Sequence, residues 1–546
     1  PRDSQSDRDA GREIYRSKCS ECHGTTGMGE TAPSLVGRSL KTSDSDWGLY
    51  RTVIRGIPEM GMPAALATDV AAWQIVGFLR DLRNGRSASR LKRITVPAAR
   101  IEAAATEPQN WLTYSGSYQS WRHTTLNEIN SGNVADLKLA WALQLGPRAG
   151  AIETSPIVVD GIMYLSAPAS DVLAVNAATG EIHWRYTREM PKKLPLCCGS
   201  VNRGVAVLDD RVFIGTLDGF VVALDAQTGH VIWETEVADY HDGYTITAAP
   251  LAVRGKVIIG VAGGEYGIRG FLDAYDAATG KRAWRFNTIP EPGEFGSDTW
   301  SGESWKTGGG PTWLTGSFDS SLGLLYWGVG NPAPNFNGDA RPRDNLFTNS
   351  VIALDVDSGK LKWHFQFTPH DQHDWDANQI PVLVDHDFQG QPRHLMLWAN
   401  RNGFYYVLDR ATGEFLHAVP FVTQNWAKEI DSKGRPVLLP AAEPSRHGTL
   451  TSPGLSGGTN WWAPSYSPDT DLMYVPFQDA PAIFFKSGDP ELREPREGTM
   501  FLGSTHLSSE GAKQSGIRAL NPATGEVVWE HLRQKLSDVG RIGGIL

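Results

Sequence analysis

One eleven-residue phrase recurs along most of this chain and limits what it can become. It stands first as Ala174-Val-Asn-Ala-Ala-Thr179-Gly180-Glu-Ile-His-Trp184, then as Ala223 to Trp233 and Ala274 to Trp284. It returns at Ala353 with Asp355, Ser358-Gly359 and Trp363, and at Val407 with Asp409, Thr412-Gly413 and His417 in place of Trp. A last copy has Ala519, Asn521, Thr524-Gly525 and Trp529. Each unit reads as an apolar strand, an Asx-x-x-Thr-Gly turn and a second strand ending in Trp. The Asx side chain bonds the local backbone and the Gly takes φ > 0. The spacings are 49, 51, 79, 54 and 112 residues; an insertion lengthens the third, and the last is enough for two units. Such a unit cannot bury its face alone, so copies must stack. Four-stranded units at ~50 residues point to a β-propeller; a solenoid is the rival, but no period of ~20–25 residues is present.

The composition agrees. The 58 Gly and 19 Trp in 546 residues suit a turn-rich β unit with an aromatic in each copy. With 15 Tyr and 19 Phe as well, the chain can bury a large core, which excludes disorder as its main state. No run approaches ~18 apolar residues, so no transmembrane helix is expected. A net charge of −10 argues against nucleic acid as a partner. Four cysteines in two local pairs, Cys19/Cys22 and Cys197/Cys198, do not make a dispersed disulfide scaffold.

Residues 1–85 read differently. A short helix from Gly11 leads into Cys19-Ser-Glu-Cys22-His23, the attachment signature of a c-type haem. A zinc half-site or a redox dithiol is the alternative, but no second Cys/His pair stands at zinc spacing. Gly-Met62-Pro lies about forty residues on, before a helix over 69–83 carrying Trp73, Ile75, Val76, Phe78, Leu79 and Leu82. This arrangement resembles a small all-α class I cytochrome c, with Met62 as sixth iron ligand, Met60 as its rival, and Met28 at the haem edge or on a loop. Residues 86–109 carry little apolar periodicity and read as a linker. Covalent haem attachment in bacteria takes place outside the cytoplasm, so a periplasmic protein is expected, its signal peptide absent from this sequence.

The Ala-x-Asp-x-x-Thr-Gly-x-x-x-Trp repeat resembles the tryptophan-docking motif of the quinoprotein alcohol dehydrogenases. The resemblance implies an all-β eight-bladed propeller over 110–546, with pyrroloquinoline quinone (PQQ) at its axis. Other stretches carry it further. Leu-Pro-Leu-Cys197-Cys198-Gly-Ser-Val-Asn-Arg203 resembles the family's segment in which a vicinal disulfide lies flat on the quinone. Two reduced buried thiols are the alternative: adjacent Cα atoms stand only ~3.8 Å apart, below the usual disulfide range, and the bridge closes almost no loop. Gly308-Gly-Gly-Pro-Thr-Trp313 resembles the segment whose Trp stacks on the other face. The resemblance also makes Glu153, Arg203, Thr247, Gly263, Gly264, Arg401, Asn460 and Trp461 cofactor neighbours. Guanidinium groups suit the cofactor's carboxylates through a bidentate fork.

The same resemblance makes Glu265 and Asn331 metal ligands, and Asp374 both ligand and general base. Hydride would pass to the quinone, a hard cation would act as Lewis acid, and the electrons would go singly to the haem and then to an external acceptor (a cytochrome, a copper protein or a quinone). Asp376 stands where calcium-type relatives have a small or neutral residue and lanthanide-dependent ones have Asp, so the expected ion is Ca2+ or a lanthanide; the alternative is that Asp376 points away. Ala262 and Pro311 replace polar residues of many relatives. The haem segment precedes the propeller, as in polyvinyl alcohol dehydrogenase, so a secondary, bulky or polymeric alcohol is expected, with the insertion over 291–300 at the site mouth. A nitrite reductase of the cytochrome cd1 type or a non-catalytic binding propeller is the alternative function. The sequence stops at Gly543-Gly-Ile-Leu546, where the family opens another strand, so a propeller short of roughly its last blade is expected.

Overall fold

The computed structural model describes residues 5–36, 40, 45–64, 68–88, 93–145, 150–496, 499–508, 514–533 and 543–546. Its N-terminal part is helical. Helix α1 (Gln5–Lys18) leads into the single turn α2 (Ser20–His23); α3 (Asp46–Arg55) and α4 (Asp69–Ala88) follow. Tyr15, Val53, Ala72, Ile75, Phe78 and Leu79 form its core. The Ser45 hydroxyl caps α3 by accepting from Gly48 N.

The rest is built of four-stranded antiparallel meanders. The first comprises Ile157–Val159, Ile162–Ala167, Asp171–Asn176 and Ile182–Tyr186, hydrogen-bonded in chain order. Five more run from Ala206–Leu208 to Val231–Glu236, Leu251–Val253 to Arg282–Asn287, Ser317–Asp319 to Leu361–Gln366, Val382–Phe388 to Phe415–Pro420, and Ser465–Ser467 to Val527–Leu532. These six are the propeller's complete blades; the other two of the expected eight are not four-stranded among the described residues. The 112-residue interval before Trp529 holds one blade, not two. The surplus is a hairpin (Ala427–Ile430 with Pro436–Leu438) and a three-stranded sheet of Thr449–Thr451, Ala482–Phe484 and His506–Ser508.

The repeat explains how blades meet. Within a blade the Ala pairs across from the Trp, as in Ala174 with Trp184 and Ala223 with Trp233, and a bulge follows at once. A small residue there leaves room for the indole to turn out of the sheet. Its N–H then donates to the residue after the Asx of the next blade: Trp184 to Ala226 O (3.0 Å), Trp233 to Ala277 O (3.1 Å), Trp284 to Val356 O (3.0 Å) and Trp363 to Arg410 O (3.2 Å). The ring lies against the turn glycine, so that a Cβ on Gly229 (φ +74°) would stand 2.5 Å from Trp184. Trp141, not among the expected repeats, docks on the first blade in this way through Ala177 O (3.2 Å) and Gly180. Where His417 replaces the Trp, its Nε2 meets Thr524 O at 3.1 Å, and Tyr405 and Val419 cover Gly525.

The stretch expected as linker does not hang free throughout. Ile94, Val96 and Ile101 are buried in the propeller's main core, and Val96 bridges to Asp209.

A meander sorts its connections to two ends. The Asx-x-x-Thr-Gly turns lie at one; the entries to each blade and the links between second and third strands lie at the other. Glu153, Arg203, Thr247, Trp313, Asp374 and Asn460 are on entries, and Glu265, Asn331 and Arg401 on second-to-third links. Topology alone therefore brings every expected propeller site residue to one end.

Trp284 is 8% exposed and Trp529 45%. Trp284→Ala is expected to cost about 3–5 kcal/mol of propeller stability and Trp529→Ala less than about 0.5 kcal/mol. Gly229→Ala, which combines positive φ with the ring contact, should cost about 1–3 kcal/mol. Shifts of the denaturant midpoint followed by circular dichroism measure all three.

Candidate active site

Two groups of side chains meet at that end. In the first, the Arg203 guanidinium lies over the Trp313 ring at 4.8 Å and over Trp461 at 5.6 Å. Glu153 Oε2 is 2.7 Å from Arg203 Nη2, an ion pair without hydrogen-bond alignment. Burial pushes the Glu153 carboxyl up and the Arg203 guanidinium down, and each opposes the shift of the other. Thr247 is buried and its carbonyl accepts from Arg203 N at 3.0 Å. Asn460 spends its amide locally, on Ser456 O (3.0 Å) and Trp461 N (2.8 Å). Cys197 and Cys198 are bridged, as the resemblance implied, and exposed on the loop that leads to Arg203.

The second group is acidic. Asp376 accepts from Asn331 N (2.8 Å) and from Arg401 Nη1 (2.5 Å). Arg401 Nη2 lies 3.7 Å from Asp374 Oδ2 and donates to Leu455 O (2.6 Å). Asn335 Nδ2 holds Asp374 Oδ1 at 2.8 Å. Burial, and after it the Asp376 charge, raises both Asp374 and Glu265 above the ordinary carboxylate range. Asp376 is raised by burial and drawn back by Arg401. Asp374 and Asp376 thus face one guanidinium, Glu265 feels the charges of both Asp376 and Arg401, and Asp376 points into the group, not away from it.

Gly263 and Gly264 serve packing. A Cβ on Gly263 (φ +121°) would lie 2.1 Å from Gly243 O, and one on Gly264 would lie 2.6 Å from Asn331 Oδ1. Gly264 thereby lets the Glu265 turn close on Asn331. Asn335 escaped the sequence reading although it stands four residues after Asn331. Arg341 and Asp371 escaped it too, since nothing in a sequence marks an arginine whose partners are carbonyls. The insertion over 291–300 packs on the Gly-rich run before Trp313: Trp300 lies where a Cβ on Gly308 would be.

The polar atoms left over test the fit to a cofactor. Nε and Nη1 of Arg203 and Nε of Arg401 are buried without an acceptor, as is Asn331 Oδ1 without a donor. Such atoms are costly unless matched. The donors suit an anionic, planar ligand over Trp313, and Asn331 Oδ1 among carboxylates suits a hard cation. The fit to the cation is one of chemistry: among the described residues no three His, Cys, Asp or Glu side chains are gathered as a ready-made metal cluster.

In the helical domain His23 is 9% exposed and its Nδ1 meets Pro33 O at 2.9 Å, which leaves Nε2 for a metal. Cys19 is half-buried, Cys22 exposed, and burial pushes the Cys19 thiol up. Met62 is half-buried and its loop is closed by Ile57 N to Met62 O at 2.8 Å, whereas Met60 is 56% exposed.

Comparison with known proteins agrees with both parts. The model of the PQQ "Glucose/ethanol/alcohol dehydrogenase, beta-propeller domain" matches residues 111–437, and "Cytochrome C oxidase, cbb3-type, subunit III" matches residues 6–79. The chain is 42% identical over 410 residues to quinohemoprotein alcohol dehydrogenase ADH IIB of Pseudomonas putida, covering 72% of this chain and 59% of that one. Among solved structures, quinohemoprotein alcohol dehydrogenase from Comamonas testosteroni superposes with TM-score 0.75 at 36% identity, over 82% of this chain and 70% of that one. A europium-containing methanol dehydrogenase superposes with TM-score 0.75 at 34% identity, over 80% of each chain. The chain belongs to the PQQ-dependent alcohol dehydrogenase family, with a cytochrome c domain before the propeller. It spans 59% of the length of the first of these relatives.

Met62→Ala is expected to change the reduced haem spectrum and lower the haem potential, while Met60→Ala leaves both unchanged; redox titration of the holoprotein measures the difference.

Proposed function

We propose that the protein oxidises an alcohol to an aldehyde or ketone and passes the electrons through its own cytochrome domain to an external acceptor. One observation carries this: Arg203, stacked over Trp313 and Trp461, and Arg401, paired with Asp376 beside Asp374, each keep a buried N–H without an acceptor, so an anion-binding half and an acidic half stand at the same end of the propeller. When bound, PQQ supplies the two-electron acceptor, Ca2+ or a lanthanide its Lewis acid, and haem c the one-electron outlet.

The chain's residues do the rest. Arg203 and Arg401 bind carboxylates with their unpartnered N–H groups. Trp313 and the Cys197–Cys198 bridge would supply the flat surfaces that hold the cofactor. Glu265, Asn331, Asp374 and Asp376 offer oxygen to the cation. Asp374, held by Asn335 and raised above the usual carboxylate range, takes the alcohol proton as the hydride leaves the carbon. Cys19, Cys22, His23 and Met62 hold the haem. The haem domain's place before the propeller supports a secondary or bulky alcohol. Covalent haem supports a periplasmic location, and no described helix is long and apolar enough to cross a membrane.

In enzyme reconstituted with PQQ and metal, Asp374→Ala should lower alcohol-dependent dye reduction by about 10²–10⁴-fold and leave the haem spectrum intact. Retained turnover removes Asp374 as the base, and nitrite reduction in place of alcohol oxidation replaces the reading altogether.

With Glu265, Asp374 and Asp376 all ionised around a bound cation, three carboxylates against the Arg401 guanidinium would leave two negative charges, which favours an ion of high charge. Metal-stripped protein given a light lanthanide should outperform the same protein given Ca2+, and Asp376→Ala should reverse the order. Equal activity in both ions, unmoved by Asp376→Ala, sinks the assignment.

A further inference from the structure

Arg341 is 0% exposed, yet every one of its hydrogen-bond acceptors is a neutral oxygen. Nε and Nη2 donate to Pro334 O (3.2 and 2.8 Å), Nη2 also to Asn335 O (3.3 Å) and Asp371 O (2.6 Å), and Nη1 to Asn345 Oδ1 (3.0 Å). Among the described residues no carboxylate pairs with it directly, the Asp371 charge acting only from a distance, and a buried cation so placed is an expensive way to fill space that an apolar side chain usually fills as well or better. What the guanidinium provides is a rigid fork that reaches two loops at once.

Both loops hold Asp374. On one, Asn335 donates from Nδ2 to Asp374 Oδ1 at 2.8 Å. On the other, the Asp371 carboxylate accepts from His373 N (3.0 Å) and Trp375 N (2.9 Å), the amides on either side of Asp374. Asp374 itself has φ +61°, a left-handed conformation that persists in a non-glycine residue only when its surroundings over-determine it. The two loops cross again where His370 Nδ1 meets Arg343 O at 3.0 Å and where Gly338 leaves no room for a Cβ against His370.

We propose that Arg341 is a positioning residue for Asp374, acting through Asn335 and the Asp371 turn; this rests on the reading of Asp374 as the base. It touches neither substrate nor cofactor. It fixes the carboxylate's direction by locking the loop that bonds it to the loop that carries it.

The test uses the full holoprotein with PQQ and metal, and Arg341→Met, Arg341→Lys, Asn335→Ala and the double variant Asn335→Ala/Arg341→Met. Arg341→Met should lower kcat on the order of 10²-fold with KM within about threefold, because a misplaced group costs rate and not affinity. Arg341→Lys should recover part of kcat. The double variant should be no worse than Arg341→Met alone, since both act through one coupling. The isotope effect on kcat with an alcohol deuterated at the reacting carbon should rise, and hydrogen exchange at the His373 and Trp375 amides should quicken in Arg341→Met. Unchanged kcat in Asn335→Ala, multiplicative losses in the double variant, or a loss confined to KM overturns the proposal. Should Arg341→Met fail to fold, Asn335→Ala and Arg341→Lys decide by the same readouts. If the wild type oxidises no alcohol, the functional reading fails, and hydrogen exchange still reports whether Arg341 locks the turn.

Discussion

The propeller depends on one contact repeated between neighbouring sheets: an indole laid on a left-handed glycine, with its N–H on the carbonyl after an Asx. Each participant in the repeat answers to it. Asp225 shows the turn's share: its carboxylate accepts from Gln227 N and Thr228 N, and its carbonyl from Gly229 N. That folds the chain so that Gly229 and Ala226 O face the preceding blade together. The small residue across from the Trp, and the bulge after it, let the ring leave its own sheet. The contact is apolar over the ring and polar at its edge, so it fixes the rotation between blades as well as burying area.

Because this docking is confined to one end of each meander, the other end is free to vary. There the connections lengthen to carry chemistry: 288–316 and 330–349 in the fourth blade's part of the chain, and 367–381 before the fifth. The buried polar residues gather in these connections. Asn331, Asn335, Asn345, Asn349, Arg341 and Asp371 are all at most 2% exposed. A repeat that needs only its turn, its Ala and its Trp for assembly leaves such residues to be chosen for the site.

What the sequence made legible follows the same division. The docking end was readable because one spacing with fixed residue types recurs; it failed only where the spacing lies. Trp141 was missed because it lacks the Thr-Gly turn before it, and its partner turn belongs to the next blade. The interval to Trp529 looked like two units because length cannot distinguish a blade from a hairpin and a three-stranded sheet. The site end was readable at Trp313, Asp374 and Asp376 through resemblance of short phrases. It was not readable at Asn335, Arg341 and Asp371, whose importance lies in contacts that tie the stretch around Arg341 to the turn that carries Asp374.

Strain follows that division too. Of the non-glycine residues with positive φ, Asp160, Asp209, Arg254, Gln389 and Asp471 lie in the tight turns between first and second strands. Arg343, Asn345, Asn349, His370 and Asp374 lie in the two loops that Arg341 joins. The first set is the ordinary consequence of short hairpins, where Asp and Asn tolerate the left-handed region. The second has no hairpin to explain it. Its members are held by side-chain bonds instead: Arg341 to Asn345, Asn345 to Arg341 O, Asn349 to Trp375 O, His370 to Arg343 O and Asn335 to Asp374. A network that holds Arg343, Asn345, Asn349, His370 and Asp374 left-handed around one raised carboxylate, Arg343 against its own preference, fixes a direction for that carboxylate.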